Sequence, residues 1–461
     1  MKAEDRPILA DAAGELSDAL AQSLRRPITP ETRELAARHV LDWTACAVAG
    51  RQTDTGALLG RYADAAAPGP VTAIGVGRRA FDAGLICNAA AGDILRMGDL
   101  HRAHDIHPGT VVIPAALAAA EARAATPATF LDAVIHGYEI ALQVAGLMNP
   151  AEHPAAGKLN RTATAGRYGA AAAAAHVLGL DAEGVAAALR LAASLVTLGQ
   201  AEAEDAPARH FQNAEAALGG ARAALLATHG LMGPAQAVGG PRGLLGLLGE
   251  DGAEIAITPD APWLMAEVAI LPWGSCHHAH GAIDAALALR AKLDPDDLRP
   301  ERIREVRVAT HAAALQSCDL PQPRSLNEAR FSLQHGVALA LLGGAPGLSD
   351  FSPSRCGDAA VAALRHKVRL AAEARFTNAC PQHCGANVTL VMEDGEVMSQ
   401  EIADPRGSAA RPLSIDELVA KARELLAWSG TMDAADADRL IEAALYLPDA
   451  GSLSSFLKAL P

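Results

Sequence analysis

The run Ala165-Gly166-Arg167-Tyr168-Gly169, followed by six alanines from Ala170 to Ala175, constrains this chain more than any other feature. Alanine favours helix over strand because it loses no side-chain rotamers on ordering. Helices surfaced with methyl groups and glycines can lie close together. Similar stretches recur in "TVVIPAALAAAEARAA" (110–125) and "AALGGARAALLATHG" (216–230), and aromatic residues are only 3% of the chain. These patterns predict a large core of closely packed helices, apolar nearly all round at its centre. A length of 461 residues is too great for one compact core and implies two or three domains.

Residues 1–265 read as mainly helical. "PETRELAARHVLDWTACAVAG" (30–50) carries apolar residues at helical spacing and ends on glycine. The alanine run reads as two helices broken at "GLDAEG", with Asp181 as N-cap. The texture changes after Leu271. "IREVRVATH" (303–311) and "HKVRLAAE" (366–373) have strand patterns, and "NVTLVMEDGEVMSQEI" (387–402) reads as a hairpin turning at Asp394-Gly395. "HGAIDAALALRA" (280–291) and "NEARFSLQHGVALALLGG" (327–344) read as helices. "SIDELVAKARELLAW" (414–428) resumes helix behind a capping box of Ser414 and Glu417. The predicted fold is mainly α: an all-helical domain over 1–270, completed by 406–461, with an α+β domain inserted at 271–405.

The net charge of -14 argues against nucleic acid, whose phosphates require stripes of Lys and Arg. No apolar run approaches the roughly 20 residues needed to span a bilayer, so no membrane partner is expected. The opening "MKAEDRPILADAAGELSDAL" has early charges and no apolar core of a signal peptide. Seven scattered cysteines fit free thiols in a reducing cytoplasm.

The densest chemistry lies in "GDLHRAHDIHPGT" (98–110), where His101, His104 and His107 stand among Asp99 and Asp105. Pro108 disfavours helix at His107, so the stretch reads as a loop leading into a helix near Gly109. A zinc site needs three or four converging ligands. Adding Cys276, His277, His278 and His280 of "SCHHAH" produces no zinc spacing, and "CPQHC" (380–384) lacks a second pair. No metal is expected. "GVGRRA" and "GGPRGLLG" do not join a strand to a helix as a dinucleotide site would, and no G-x-S-x-G elbow is present. Acid–base work suits the histidines best, since imidazole titrates near neutrality. A solvated loop with incidental histidines is the alternative on spacing alone.

Seven segments, in order, resemble the MmgE/PrpD (2-methylcitrate dehydratase) family over most of the chain. They are "HPGTVVIPAALAAAEA", "HGYEIALQV", "TATAGRYGAAAAAAHVLGLD", "AALGGARAALLATHGLMGP", "HGAIDAALALR", "EARFSLQHGVALALL" and "DPRGSAARPLS". The resemblance implies an all-helical domain with an α+β lid, a homodimer, and no metal or organic cofactor. It also implies a small di- or tricarboxylate substrate that loses a proton next to a carboxylate. Dehydratases, a cis-aconitate decarboxylase and an iminodisuccinate epimerase share the fold.

The family's D-x-D-D-T cluster falls on Met97 to His101, where only the middle acid, Asp99, remains. A pocket histidine falls on Asn160, two lysines fall on Arg209 and Leu271, and a tyrosine falls on His335, whereas His107 and His280 are retained. This pattern implies a cofactor-independent enzyme, either an epimerase/isomerase or a dehydratase- or decarboxylase-like lyase. A non-catalytic carboxylate-binding homologue is the alternative. His107 with His101 or His335 would handle protons, because an imidazole near its own pKa can both take and return one. Asp99, Asn160, Arg209 and His280 would bind substrate.

Overall fold

A computed structural model describes residues 16–148, 155–194, 208–249 and 261–461. The first fifteen residues, and Leu195 at the end of the stretch expected to form the second alanine-rich helix, lie outside the described residues. The chain divides into two compact units, one of Met1–Val268 with Leu425–Pro461 and one of Ala269–Glu424.

The first unit is built on α1 (Pro30–Gly50), α2 (Phe81–Ile94), α3 (Gly109–Arg123), α4 (Pro127–Leu147), α5 (Arg161–Val177), α6 (Ala182–Ala192) and α7 (Ala208–Ala227). A small hairpin of β1 (Val71–Ala73) and β2 (Gly77–Arg79) sits between α1 and α2 in the chain. Local chemistry sets the helix starts. Thr29 and Thr126 cap α1 and α4, each followed by a proline whose missing N–H costs nothing in the first turn. Asp181 accepts from the Gly184 N–H and caps α6, as expected from sequence.

Helix α5 is the axis of this unit and packs against α3, α4, α6 and α7. Its six consecutive alanines, Ala170 to Ala175, are all buried. Each buried methyl contributes only about 0.8 kcal/mol of hydrophobic transfer, so cohesion comes from many short contacts between closely spaced backbones. Two glycines set that spacing. A Cβ on Gly169 would lie 2.4 Å from the Gly137 carbonyl oxygen, and one on Gly220 would lie 2.3 Å from that of Arg167. Neither approach leaves room for alanine.

The second unit holds a four-stranded sheet of β3 (Ile303–Thr310), β4 (Val368–Ala372), β5 (Ala386–Met392) and β6 (Val397–Ile402), in the order β4-β3-β5-β6. Strands β3 and β4 run parallel, while β3/β5 and β5/β6 are antiparallel, with Val308 opposite Val388. Val306, Val308, Val388 and Leu390 face a core shared with Ile283 of α8 (His280–Arg290) and Val337 of α9 (Leu333–Gly343). Gly395 turns the β5–β6 hairpin at φ +93, in the left-handed region that glycine adopts freely. The Ser414–Glu417 capping box is present in both directions, with bonds of 2.8 and 3.2 Å. One expectation is corrected. The single helix read over 327–344 is broken at Phe331–Ser332, because the Ser332 hydroxyl accepts from the His335 N–H and starts α9 afresh. Among the described residues, no helix is long and apolar enough to cross a membrane.

Candidate active site

The site is built where three elements of the first unit meet: the middle of α1, the end of α2, and the loop that enters α3. A narrow cleft there is lined by residues that include His39, Asp42, Asp93, Arg96, Asp99 and His107. Asp99 organises it. Its Oδ1 accepts the Gly109 N–H at 3.1 Å, and the buried Tyr138 hydroxyl donates to its Oδ2. His39 Nδ1 lies 3.3 Å from the same Oδ2. The carboxylate thus sits at the N-terminus of α3, where orphan N–H groups and the helix dipole favour negative charge. Burial, and then the Asp99 charge, push the Tyr138 hydroxyl well above its ordinary pKa, so it stays a donor. Gly109 has to be glycine: a Cβ would lie 2.5 Å from Tyr138 Oη and 2.9 Å from both Asp99 oxygens.

The same residue orients His107. His107 Nδ1 lies 2.5 Å from the Asp99 backbone carbonyl oxygen. A carbonyl can only accept, so Nδ1 carries a proton, and in the neutral ring the lone pair is left on Nε2. The His107 N–H donates to Thr162 Oγ1 at 3.2 Å, fixing the backbone as well as the ring. The half-buried ring combines exposure with a defined tautomer, as a proton acceptor requires.

Asp93, at the end of α2, supplies a second carboxylate. Its Oδ2 lies 2.6 Å from His210 Nδ1 on α7. Burial acts to raise the Asp93 pKa. The hydrogen bond and charge of His210, with the charges of Arg209 and His107, outweigh it and hold the carboxyl well below the usual range. Asp93 is therefore ionised. A carboxylate oxygen can only accept, so His210 donates a proton from Nδ1.

The residues expected from sequence fall into distinct environments. His101 is buried, stacks on His104 at 4.4 Å between ring centroids, and places Nε2 3.3 Å from Glu267. Burial lowers its pKa to about 4, so the ring is neutral near pH 7. His104 is lowered to about 4 in the same way, first by burial and then by His101. Neither belongs to the lining of the Asp93–His107 cleft. Asn160 is spent as a helix cap. Its Oδ1 accepts from the Ala163 N–H, and its Nδ2 donates to Gln212 and Asn213, each at 3.0 Å. Arg209 is half-buried on α7 and acts on Asp93 through its charge. Two residues belong to the second unit. His280 Nε2 donates to the Ser275 carbonyl at 3.1 Å. His335 is fully buried, with Nδ1 3.2 Å from Arg365 Nη1. Burial, and then Arg365, lower its pKa to about 4.

Several lining groups escaped the sequence reading: His39, Asp42, Asp93, Arg96 and, behind Asp93, His210. A signal existed for some. His39 and Asp42 stand three residues apart, so they share a helix face. Both are polar positions set within a run of apolar and small residues (Ala36–Gly50) that buries them. Arg96 has φ +48, a strained left-handed conformation for a non-glycine residue, and nothing local in the sequence marks it. Among the described residues, the one convergent set of possible ligands is His311, Cys380 and Cys384 in the second unit.

Comparison with known proteins adds the lineage. No curated protein matches the chain by sequence. The family profile of the MmgE/PrpD N-terminal domain matches residues 14–255, and that of the MmgE/PrpD C-terminal domain matches residues 273–447. Matched over nearly its whole length, the chain belongs to the MmgE/PrpD family.

Proposed function

We propose that this protein removes a proton α to a carboxylate of a small di- or tricarboxylate, without an organic cofactor, with His107 Nε2 as the base. Family membership suggests dehydratase-, lyase- or epimerase-type activity. The observation that carries the choice of base is the bond from His107 Nδ1 to the Asp99 carbonyl, which leaves Nε2 of this cleft-lining residue as the proton acceptor. A substrate carboxylate would be met by Arg96 at the lining and by Arg209, whose charge already acts on Asp93 and whose planar fork fits a carboxylate. Removing Cα–H spreads negative charge onto that carboxylate, and the cations lower the barrier by stabilising the developing charge. Asp99, held by Tyr138 and the α3 N-terminus, positions the base rather than reacting.

The proton can return on the opposite face, giving an epimerase or isomerase, or a leaving group can depart, giving a lyase. Epimerisation is the reading preferred here. Where the family's leading acid would stand, Met97 is a buried apolar side chain, which removes one acid that could protonate a departing hydroxyl. His101 of the same unit, kept neutral by burial, is the candidate for the second proton carrier. Incubation with candidate di- and tricarboxylates in D2O decides the matter. Deuterium at the carbon next to the carboxylate, without an alkene or CO2, supports the epimerase. Loss of water or CO2 supports the lyase. Unlabelled substrate throughout, with His107→Ala indistinguishable from the parent, would leave a carboxylate-binding homologue.

A further inference from the structure

We propose that the second unit contains a thiolate–imidazole site for zinc or a similar thiophilic divalent metal, formed by His311, Cys380 and Cys384. Their ligand atoms all lie within 4.8 Å of one another. The two cysteines are spaced C-x3-C, within the range used by structural zinc sites. The second half of the ligand set is not another cysteine pair. It is a histidine 69 positions earlier in the chain, reached only through the fold.

The sheet brings the parts together. His311 follows directly from β3, and Cys384 stands two residues before β5, the strand paired with β3. Three bonds pin the segments: Thr310 Oγ1 donates to the Gly385 carbonyl at 3.0 Å, the Ala312 N–H donates to Thr377 Oγ1 at 3.1 Å, and the Glu373 N–H donates to the Thr310 carbonyl at 2.9 Å. His311 is fully buried, Cys384 is buried and Cys380 is half-buried. Such a place is suited to a structural metal and poorly suited to an exposed reactive thiol.

Zinc bonds of about 2.3 Å to sulfur and 2.0–2.1 Å to nitrogen put tetrahedral ligands about 3.5 Å apart. The sulfurs, now 2.8 Å apart, would open by about 1 Å, and the imidazole, within 4.8 Å of both, would adjust to reach the metal. Binding replaces two S–H bonds with two metal–thiolate bonds and releases two protons per metal. The His278 ring lies 5.2 Å from that of His311 between centroids and is the candidate for the fourth position. Bound metal would clamp the end of β3 to the loop before β5.

The test uses the full-length chain, stripped of metal and kept reduced with a phosphine, titrated with Co(II) and then Zn(II). The expected result is one cobalt per chain with thiolate-to-cobalt absorption in the near ultraviolet, displaced by one zinc, with two protons released. Cys380→Ser and Cys384→Ser should each abolish that absorption, while Cys356→Ser keeps it. Circular dichroism of the metal-free proteins checks that the variants fold, and Cys380→Ser, at the more exposed position, is the milder change. Sub-stoichiometric binding, or cobalt absorption that survives both substitutions, overturns the proposal. So does an intact mass two units low with two thiols lost to labelling before reduction, combined with no metal uptake after it; this would make the pair a disulfide.

Discussion

The two histidine-rich regions of this molecule look alike in sequence and differ in what surrounds them. Around His101–His107, the imidazoles meet oxygen: the Asp99 carbonyl, the Asp93 carboxylate through His210, and Glu267. Around His277, His278 and His311, the nearby chemistry includes the sulfurs of Cys380 and Cys384. Oxygen partners choose a tautomer and leave a lone pair for proton transfer. Thiol partners supply soft ligands of the kind that hold a metal. Histidine density alone distinguishes neither region; the partner atoms do.

The sharpest way to break this contrast is His107→Ala. A general base contributes about 10²–10⁴-fold, so α-proton exchange into D2O, followed by NMR, should fall by that factor while circular dichroism stays unchanged. Exchange at the parental rate would remove the oxygen-side region from the chemistry.

Next in size is Gly109→Ala, which forces a methyl into Tyr138 and Asp99. It should cost about 1–3 kcal/mol of stability, as overpacking does, measured by urea unfolding. It should also lower activity through the displaced His107.

A smaller effect is expected from pH. Burial holds His101 in the first unit and His335 in the second at pKa about 4, against 6.5 for the free residue. The unfolded chain therefore takes up these protons first as pH falls. Stability is intact above pH 6.5 and is lost progressively between pH 6.5 and about 4, with each ring contributing about 1.4 kcal/mol per pH unit at most. Urea midpoints at pH 7, 6 and 5 should fall in that order. His101→Gln and His335→Gln should each flatten the slope, and an unchanged slope would show that these rings are not buried neutral.

Asp93→Asn should be milder still, because Asp93 acts on His107 and His210 rather than on substrate. A double-mutant cycle with His210→Ala should return a coupling of about 1–3 kcal/mol in kcat, and additive effects would deny the pair a shared role. At the bottom of the scale, Cys380→Ser should leave proton exchange unchanged while abolishing metal uptake. A matching loss of exchange would erase the division between the two regions.

How much of this could be read from the chain depends on distance. Asp181, the Ser414–Glu417 box and the Asp394-Gly395 turn act within a few residues, and the sequence displays them directly. The alanine runs identified the central helices for the same reason. The site was legible only where a motif marked it, at Asp99 and His107. His39, Asp42, Asp93 and His210 come from α1, α2 and α7 and meet only after packing. Asn160 shows the opposite case: it stood in a pocket position by resemblance, and the local demand of an uncapped helix takes up its side-chain amide. The cysteine pair lacked a partner in sequence because its partner is in the adjacent strand's extension, at His311.

The methyl-lined axis of α5 has a thermal consequence. Heat capacity rises on unfolding in proportion to the apolar surface exposed, at about 0.45 cal/K/mol per Å². Six consecutive buried alanines contribute far less such surface than six leucines would, while the backbone hydrogen bonds they bring are the same. The first unit should therefore show a small heat-capacity step for its size in calorimetry, and a stability that changes little between cold and warm.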